Sequence, residues 1–271
     1  MTATLVAPRE PKLSGMPTSG IIVIAGEPKS GKTKFMASFP NSYILELDKG
    51  DADRIGGRIH DVADLDELQE ILPMVVEDSS VQYIGIDTVD TLGTWMEAVV
   101  AKESGVEFLG KPTAGVDSRG LWGEYAQRVR GMTDYLKHCG KPVLLGAHVR
   151  APDKDDQGRI TKPAGIKVRG AGGDYIIEQA CAIGHMRVKT INDRAVHSLS
   201  FKAPSDQAIW RSRVEELQDR EFIIKKEDPY GSFYSAAFGK QQEERPAPAL
   251  KQPVANGNGH KPVARAAAKR R

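Results

Sequence analysis

Apolar residues along this chain follow two rhythms. Residues 20–25, 43–47, 81–86 and 142–147 are short runs that are apolar almost throughout. This is the pattern of strands buried on both faces. Between them the apolar positions spread to every third or fourth residue. Leu65, Leu68, Leu72 and Val75 predict a helix over 65–76, with Asp64 as its N-cap and Glu67 placed to answer from three residues on. Further helices are expected over 32–38, ended by Pro40, and over 91–102, 119–138 and 174–179. Residues 180–189 and 195–202 read as strands joined by a hairpin turn at Asn192-Asp193. Residues 103–118 and 150–173 read as polar loops. Strands alternating with helices predict an α/β fold, a mostly parallel sheet with helices on both faces. The late hairpin predicts an antiparallel addition at the C-terminal end.

The two ends break both rhythms. Residues 1–19 are rich in Pro, Thr and Ser and read as a flexible leader. Residues 241–271 are rich in Pro, Ala and Asn-Gly, and they hold seven Lys or Arg against two acids. Such a tail buries too little apolar surface to offset the entropy of ordering it, so a disordered basic tail is expected beyond a domain over 20–240. Setting the tail aside changes the charge picture. The chain is +2 overall, but the remainder has 31 basic and 34 acidic residues. A polyanion would therefore have to be met by local basic segments, not by a global field. Two cysteines, Cys139 and Cys181, in 271 residues predict a reducing, cytoplasmic setting. No apolar run approaches the roughly 20 residues that cross a bilayer. The first 20 residues do not read as a secretory signal.

The candidate chemistry starts at residue 26. Gly26, Glu27, Pro28, Lys29, Ser30, Gly31, Lys32 and Thr33 form a complete G-x-x-x-x-G-K-T loop, directly after the first expected strand and before a helix that continues with Lys34. Glycines let such a loop curl its N–H groups inward, and the helix start adds the positive end of its dipole. Lys32 is placed to reach the β- and γ-phosphates of ATP, and the Thr33 hydroxyl to hold Mg²⁺. A second metal-directed acid is expected at the end of a neighbouring strand. Asp87 follows Tyr83-Ile84-Gly85-Ile86, at the carboxyl end that faces the ligand crevice of a parallel sheet. Hydrolysis also needs a group to orient water. Glu46 and Asp48, at the end of the second strand, share a face; Asp48 is preferred, with Glu46 as the alternative. His148 ends the fourth strand and is a candidate γ-phosphate sensor. The segment after it carries Arg150, Lys154, Arg159, Lys162, Lys167 and Arg169, a candidate polyanion-binding loop. Lys111 and Arg119 lie in the other loop. Arg211, Arg213, Arg220, Lys225 and Lys226 are candidates for a finger into a neighbouring subunit.

These residues, with Leu45–Gly50, Ile84–Thr88, Trp122–Tyr125 and Gly146-Ala147-His148, resemble the RecA-like ATPases common in bacteriophage genomes, including the Sak-type single-strand annealing proteins. The resemblance spans residues 18–235. It implies a RecA-like P-loop NTPase core, with Asp48 polarising water, His148 sensing γ-phosphate and the 150–170 segment contacting single-stranded DNA. It implies a homo-oligomer, ring or filament, with ATP beside a subunit boundary, working with phage or host recombination and replication proteins. The residues alone also admit a P-loop small-molecule kinase, with the 150–170 segment as its lid, or a non-hydrolysing nucleotide-gated scaffold.

Overall fold

The computed structural model describes residues 15–48, 54–110, 115, 117–203 and 208–239. Most of the leader, the tail and Lys111 lie outside the described residues. All the elements below belong to the unit Met1–Gly239. The chain runs β1 (Gly20–Gly26), α1 (Lys32–Ala37), β2 (Ser42–Glu46), β3 (Arg58–Asp61), α2 (Leu65–Glu77), β4 (Tyr83–Asp87), α3 (Val89–Glu103), α4 (Ser118–His138) and β5 (Pro142–Ala147). Four very short strands follow, β6 (Val149–Arg150), β7 (Asp153–Lys154), β8 (Ile160–Lys162) and β9 (Gly165–Ile166). Then come α5 (Gly170–Gln179), β10 (Ala182–Ile191), β11 (Arg194–Ser200), β12 (Arg211–Ser212), β13 (Glu221–Ile224) and α6 (Pro229–Phe238).

The main sheet has the order β13-β11-β10-β1-β5-β4-β2-β3, with β12 pairing alongside the start of β10. The six strands from β10 to β3 are parallel. β11 and β13 add antiparallel pairs beyond β10. Alternation along β1 explains why it is apolar throughout. Ile21, Val23 and Ala25 enter the core under α2, α3, α4 and α5, while Ile22 and Ile24 enter the core under α1 and α6. Each face is therefore dry, and a polar residue on a central strand needs a specific reason to be there.

Local signals explain the element ends. Asp64 caps α2 by accepting from Glu67 N at 2.9 Å, and Glu67 reaches back one residue further than expected, to Ala63 N at 2.6 Å. Asn192 and Asp193 have φ of 48° and 59°, the left-handed pair that a tight two-residue hairpin turn needs. The structure departs from expectation at 150–173, which is a folded arm and not a loop. There β6 pairs with β9, and β7 with β8. β3, β12, β13 and α6 also go beyond what the sequence pattern predicts. β3, Arg-Ile-His-Asp, is polar because it sits at the sheet's edge with little core to cover.

Candidate nucleotide site

The phosphate loop closes between β1 and α1. Gly31 is the N-cap of α1 at φ 96°, a left-handed conformation that disfavours any side chain. At Gly26 an added Cβ would run into the Met186 carbonyl of β10. Lys32, only 5% exposed, donates from Nζ to the carbonyls of Gly26 (3.0 Å) and Glu27 (3.1 Å). Burial pulls its ammonium below the usual lysine range, and the charges of Asp87, Asp90, Glu27 and Asp48 pull it back up. The Ser30 hydroxyl is buried and has no partner among the described residues.

Asp87 stands at the end of β4, two strands away from β1. It faces Gly146 of β5 in register, and Gly146 in turn faces Ile24 of β1. The absence of a side chain at Gly146 lets the carboxylate pass over β5, where Asp87 Oδ2 accepts from the Thr33 hydroxyl at 2.5 Å. Asp87 is 4% exposed, and its Oδ1 has no hydrogen-bond partner among the described residues. Burial raises its pKa, opposed by the Thr33 hydrogen bond and then by Lys32 and His148. A buried carboxylate oxygen aimed at nothing, beside a threonine hydroxyl and under an inward-turned loop, suits a hard cation that takes oxygen ligands. No group of three or more His, Cys, Asp or Glu among the described residues could hold a metal alone. A cation here would therefore lean on Thr33, Asp87 and the oxygens of a bound phosphate.

The other strand ends converge on the same edge. Glu46 is buried, in register with Asp87, and Asp48 beyond it is exposed. The amides of Leu47 and Asp48 both donate to the Asp87 carbonyl, at 2.6 and 3.3 Å. His148, just past β5, is bonded through Nδ1 to Asp90 Oδ2 at 2.7 Å.

A family described as AAA domain matches residues 19–210. The chain belongs to this family. The match begins at β1 and takes in the loop, Asp87, His148 and the arm, so this AAA domain is a P-loop nucleotide-binding fold. No curated protein matches the chain. Among solved structures it is similar to a KaiC-like protein of the hyperthermophilic archaeon Pyrococcus horikoshii, at 12% identity, covering 78% of this chain and 87% of that one, with a TM-score of 0.44. No described helix is long and apolar enough to cross a membrane.

Outside the loop, the AAA domain uses many of its candidate cations internally. Arg150 donates to the Pro163 carbonyl at 2.7 Å and pairs with Asp153; Arg159 pairs with Asp155, Lys162 with Asp174 and Arg169 with Glu97. Lys154 and Lys167 are exposed and make no ion pair among the described residues. Arg119 is exposed in the first turn of α4. Arg220 donates to the carbonyls of Glu216 and Ala236, and Arg213 to that of Glu178, so both are tied into the fold. Arg211, Lys225 and Lys226 remain exposed.

Two site residues carry no signal in the sequence pattern. One is Asp90, the partner of His148. The other is His197 on β11, whose Nδ1 lies 2.8 Å from the Ser30 carbonyl and therefore donates to it. Nothing local to Ala-Val-His-Ser announces that bond, because it depends on β11 lying two strands from β1.

Proposed function

We propose that this AAA domain binds ATP with Mg²⁺ and hydrolyses it. The observation that carries the reading is the Thr33–Asp87 hydrogen bond over Gly146, which joins the loop to the acidic strand end. Lys32 neutralises charge on the β- and γ-phosphates, and the loop amides orient them. Thr33 and Asp87 would hold Mg²⁺, which would supply positive charge to the phosphates. Asp48 or Glu46 orients the attacking water, and His148 contacts the γ-phosphate. The test is nucleotide binding and turnover in Lys32→Ala, Asp48→Asn and Glu46→Gln. Lys32→Ala should lose ATP affinity by about tenfold or more. One of the carboxylate variants should bind ATP yet turn it over at least about a hundredfold more slowly. Full turnover in both would overturn the assignment of the water-orienting acid, and ATP binding without turnover in the wild type would leave a nucleotide-gated scaffold.

The finer reading is action on single-stranded DNA in phage-type recombination, annealing or replication, as a homo-oligomer. It is supported by the resemblance to phage RecA-like ATPases and by an arm of short strands that leaves His148 directly and exposes Lys154 and Lys167. ATP turnover that rises with single-stranded DNA, and does so less at higher salt, would support it. One observation favours a second reading. A cavity of about 570 Å³ lies beneath the arm beside Asp90, lined by Thr91, Thr94, Tyr125 and Lys167 among others. It would suit the acceptor of a small-molecule kinase. Turnover indifferent to DNA but raised by a nucleoside or metabolite would select that reading.

A further inference from the structure

We propose that Asp90 is a positioning residue that presents His148 to the terminal phosphate, so that the pair distinguishes a nucleoside triphosphate from a diphosphate. The inference rests on the nucleotide-binding reading above. His148 is gripped at three points. Its backbone N–H donates to Asp90 Oδ1 at 3.0 Å, its Nδ1 lies 2.7 Å from Asp90 Oδ2, and its carbonyl accepts from Lys167 N at 2.9 Å. Two of the three come from one carboxylate, which sets the orientation of the residue as well as its charge. The side chains are only 18% and 15% exposed, so the grip is largely shielded from competing water.

Chemistry fixes what the grip leaves over. A carboxylate only accepts, so Nδ1 must carry the proton and Nε2 is the ring atom left for a ligand. A terminal phosphate oxygen also only accepts. An imidazole that meets it through Nε2 while still giving Nδ1–H to Asp90 is therefore a cation, and Asp90 supplies its counter-charge. The position is right for that ligand. Asp90 lies in the first turn of α3, three residues beyond Asp87, and acts electrostatically on both Lys32 and Asp87, while His148 acts on Asp87. Of the arm's cations, Arg150, Lys162, Lys167 and Arg169 line the cavity next to Asp90. A diphosphate would lack the group that Nε2 meets, so only the triphosphate gains from the pair.

The experiment has two arms. The first needs no nucleotide: the ring-nitrogen signals of His148 in the full chain, read by NMR at alkaline pH. The wild type should show the Nδ1–H tautomer. Asp90→Asn should show Nε2–H, because its amide can donate to Nδ1 while its carbonyl still accepts from His148 N–H. The second arm compares affinity for a non-hydrolysable ATP analogue with affinity for ADP. Asp90→Ala should lower that ratio about tenfold at unchanged ADP affinity, the size expected for removing a hydrogen bond to a charged group. His148→Ala should do the same, and the double variant should do no more than His148→Ala alone. An Nε2–H tautomer in the wild type would overturn the inference. So would an unchanged ratio in Asp90→Ala when Lys32→Ala weakens both nucleotides. If Lys32→Ala weakens neither, the nucleotide reading itself fails and the inference falls with it.

Discussion

Asp87 and Gly146 face each other across β4 and β5, and a Cβ on Gly146 would collide with the Asp87 carboxylate and crowd the Met36 methyl. The glycine is thus the opening through which the acid reaches Thr33. Its backbone is not in the left-handed region, so Gly146→Ala carries no φ strain and tests the opening alone. We expect Gly146→Ala to keep the fold by circular dichroism and to keep nucleotide binding in the absence of magnesium. The gain in ATP affinity on adding magnesium should fall about tenfold, measured by titration at several metal concentrations.

His197 braces the phosphate loop from β11 through its bond to the Ser30 carbonyl, and its ring packs against Gly31. A hydrogen bond of this kind is worth about 0.5–1.5 kcal/mol. His197→Ala should therefore weaken ATP about two- to tenfold without touching any phosphate-contacting group. Calorimetric titration of ATP would read this, and equal weakening of ADP would place the effect in the loop, not at the terminal phosphate.

Cys181 donates its thiol proton to the Ile21 carbonyl at 3.0 Å, and burial pushes the thiol up to about 11. The unfolded thiol ionises near 9, so between those values the unfolded chain holds fewer protons than the native one. Stability should therefore fall as pH rises from about 9 through about 11, by on the order of 1 kcal/mol. Denaturant midpoints across that range should show the fall, and Cys181→Ala should make it shallower. The difference should be clearest between about pH 9 and 10, below the range where the phenols of Tyr125 and Tyr230, also pushed up by burial, add a fall of their own.

Most cations of the arm are already engaged with carboxylates, which leaves Lys154 and Lys167 as its free charges among the described residues. If the arm meets single-stranded DNA, Lys154→Ala with Lys167→Ala should lower affinity for every sequence alike. It should also reduce the slope of log affinity against log salt by about 1.4, since each phosphate that a lysine neutralises accounts for about 0.7. Arg159→Ala, which removes a cation paired with Asp155, should change the slope far less. Fluorescence anisotropy at several salt concentrations would separate the two.

The parts of the fold that show in the sequence are those with a local cause. Residues 142–147 are apolar because both faces of β5 are core, and Asn192-Asp193 turns because both residues tolerate positive φ. Residues 26–33 are legible as a phosphate loop for the same reason: the whole device is contiguous. What stays hidden depends on strand order. Gly146 looks like a weak point in a strand until β5 is placed between β1 and β4. Asp90 looks like a helix-start acid until His148 arrives from 58 residues away. The arm reads as loop because strands of two or three residues are too short to show a period.

Phe35 of α1 packs edge-on against Phe233 of α6, their rings 5.5 Å apart, and Arg220 is fastened to the carbonyls at the end of α6. The helix that carries Lys32 and Thr33 is only six residues long, so its outer side is upholstered by the last helix of the unit. That helix begins nineteen residues after the family match ends at 210. A fragment trimmed to the recognisable family region would thus uncover the back of its own phosphate-gripping turn, and an excised version meant to work must extend through Gly239.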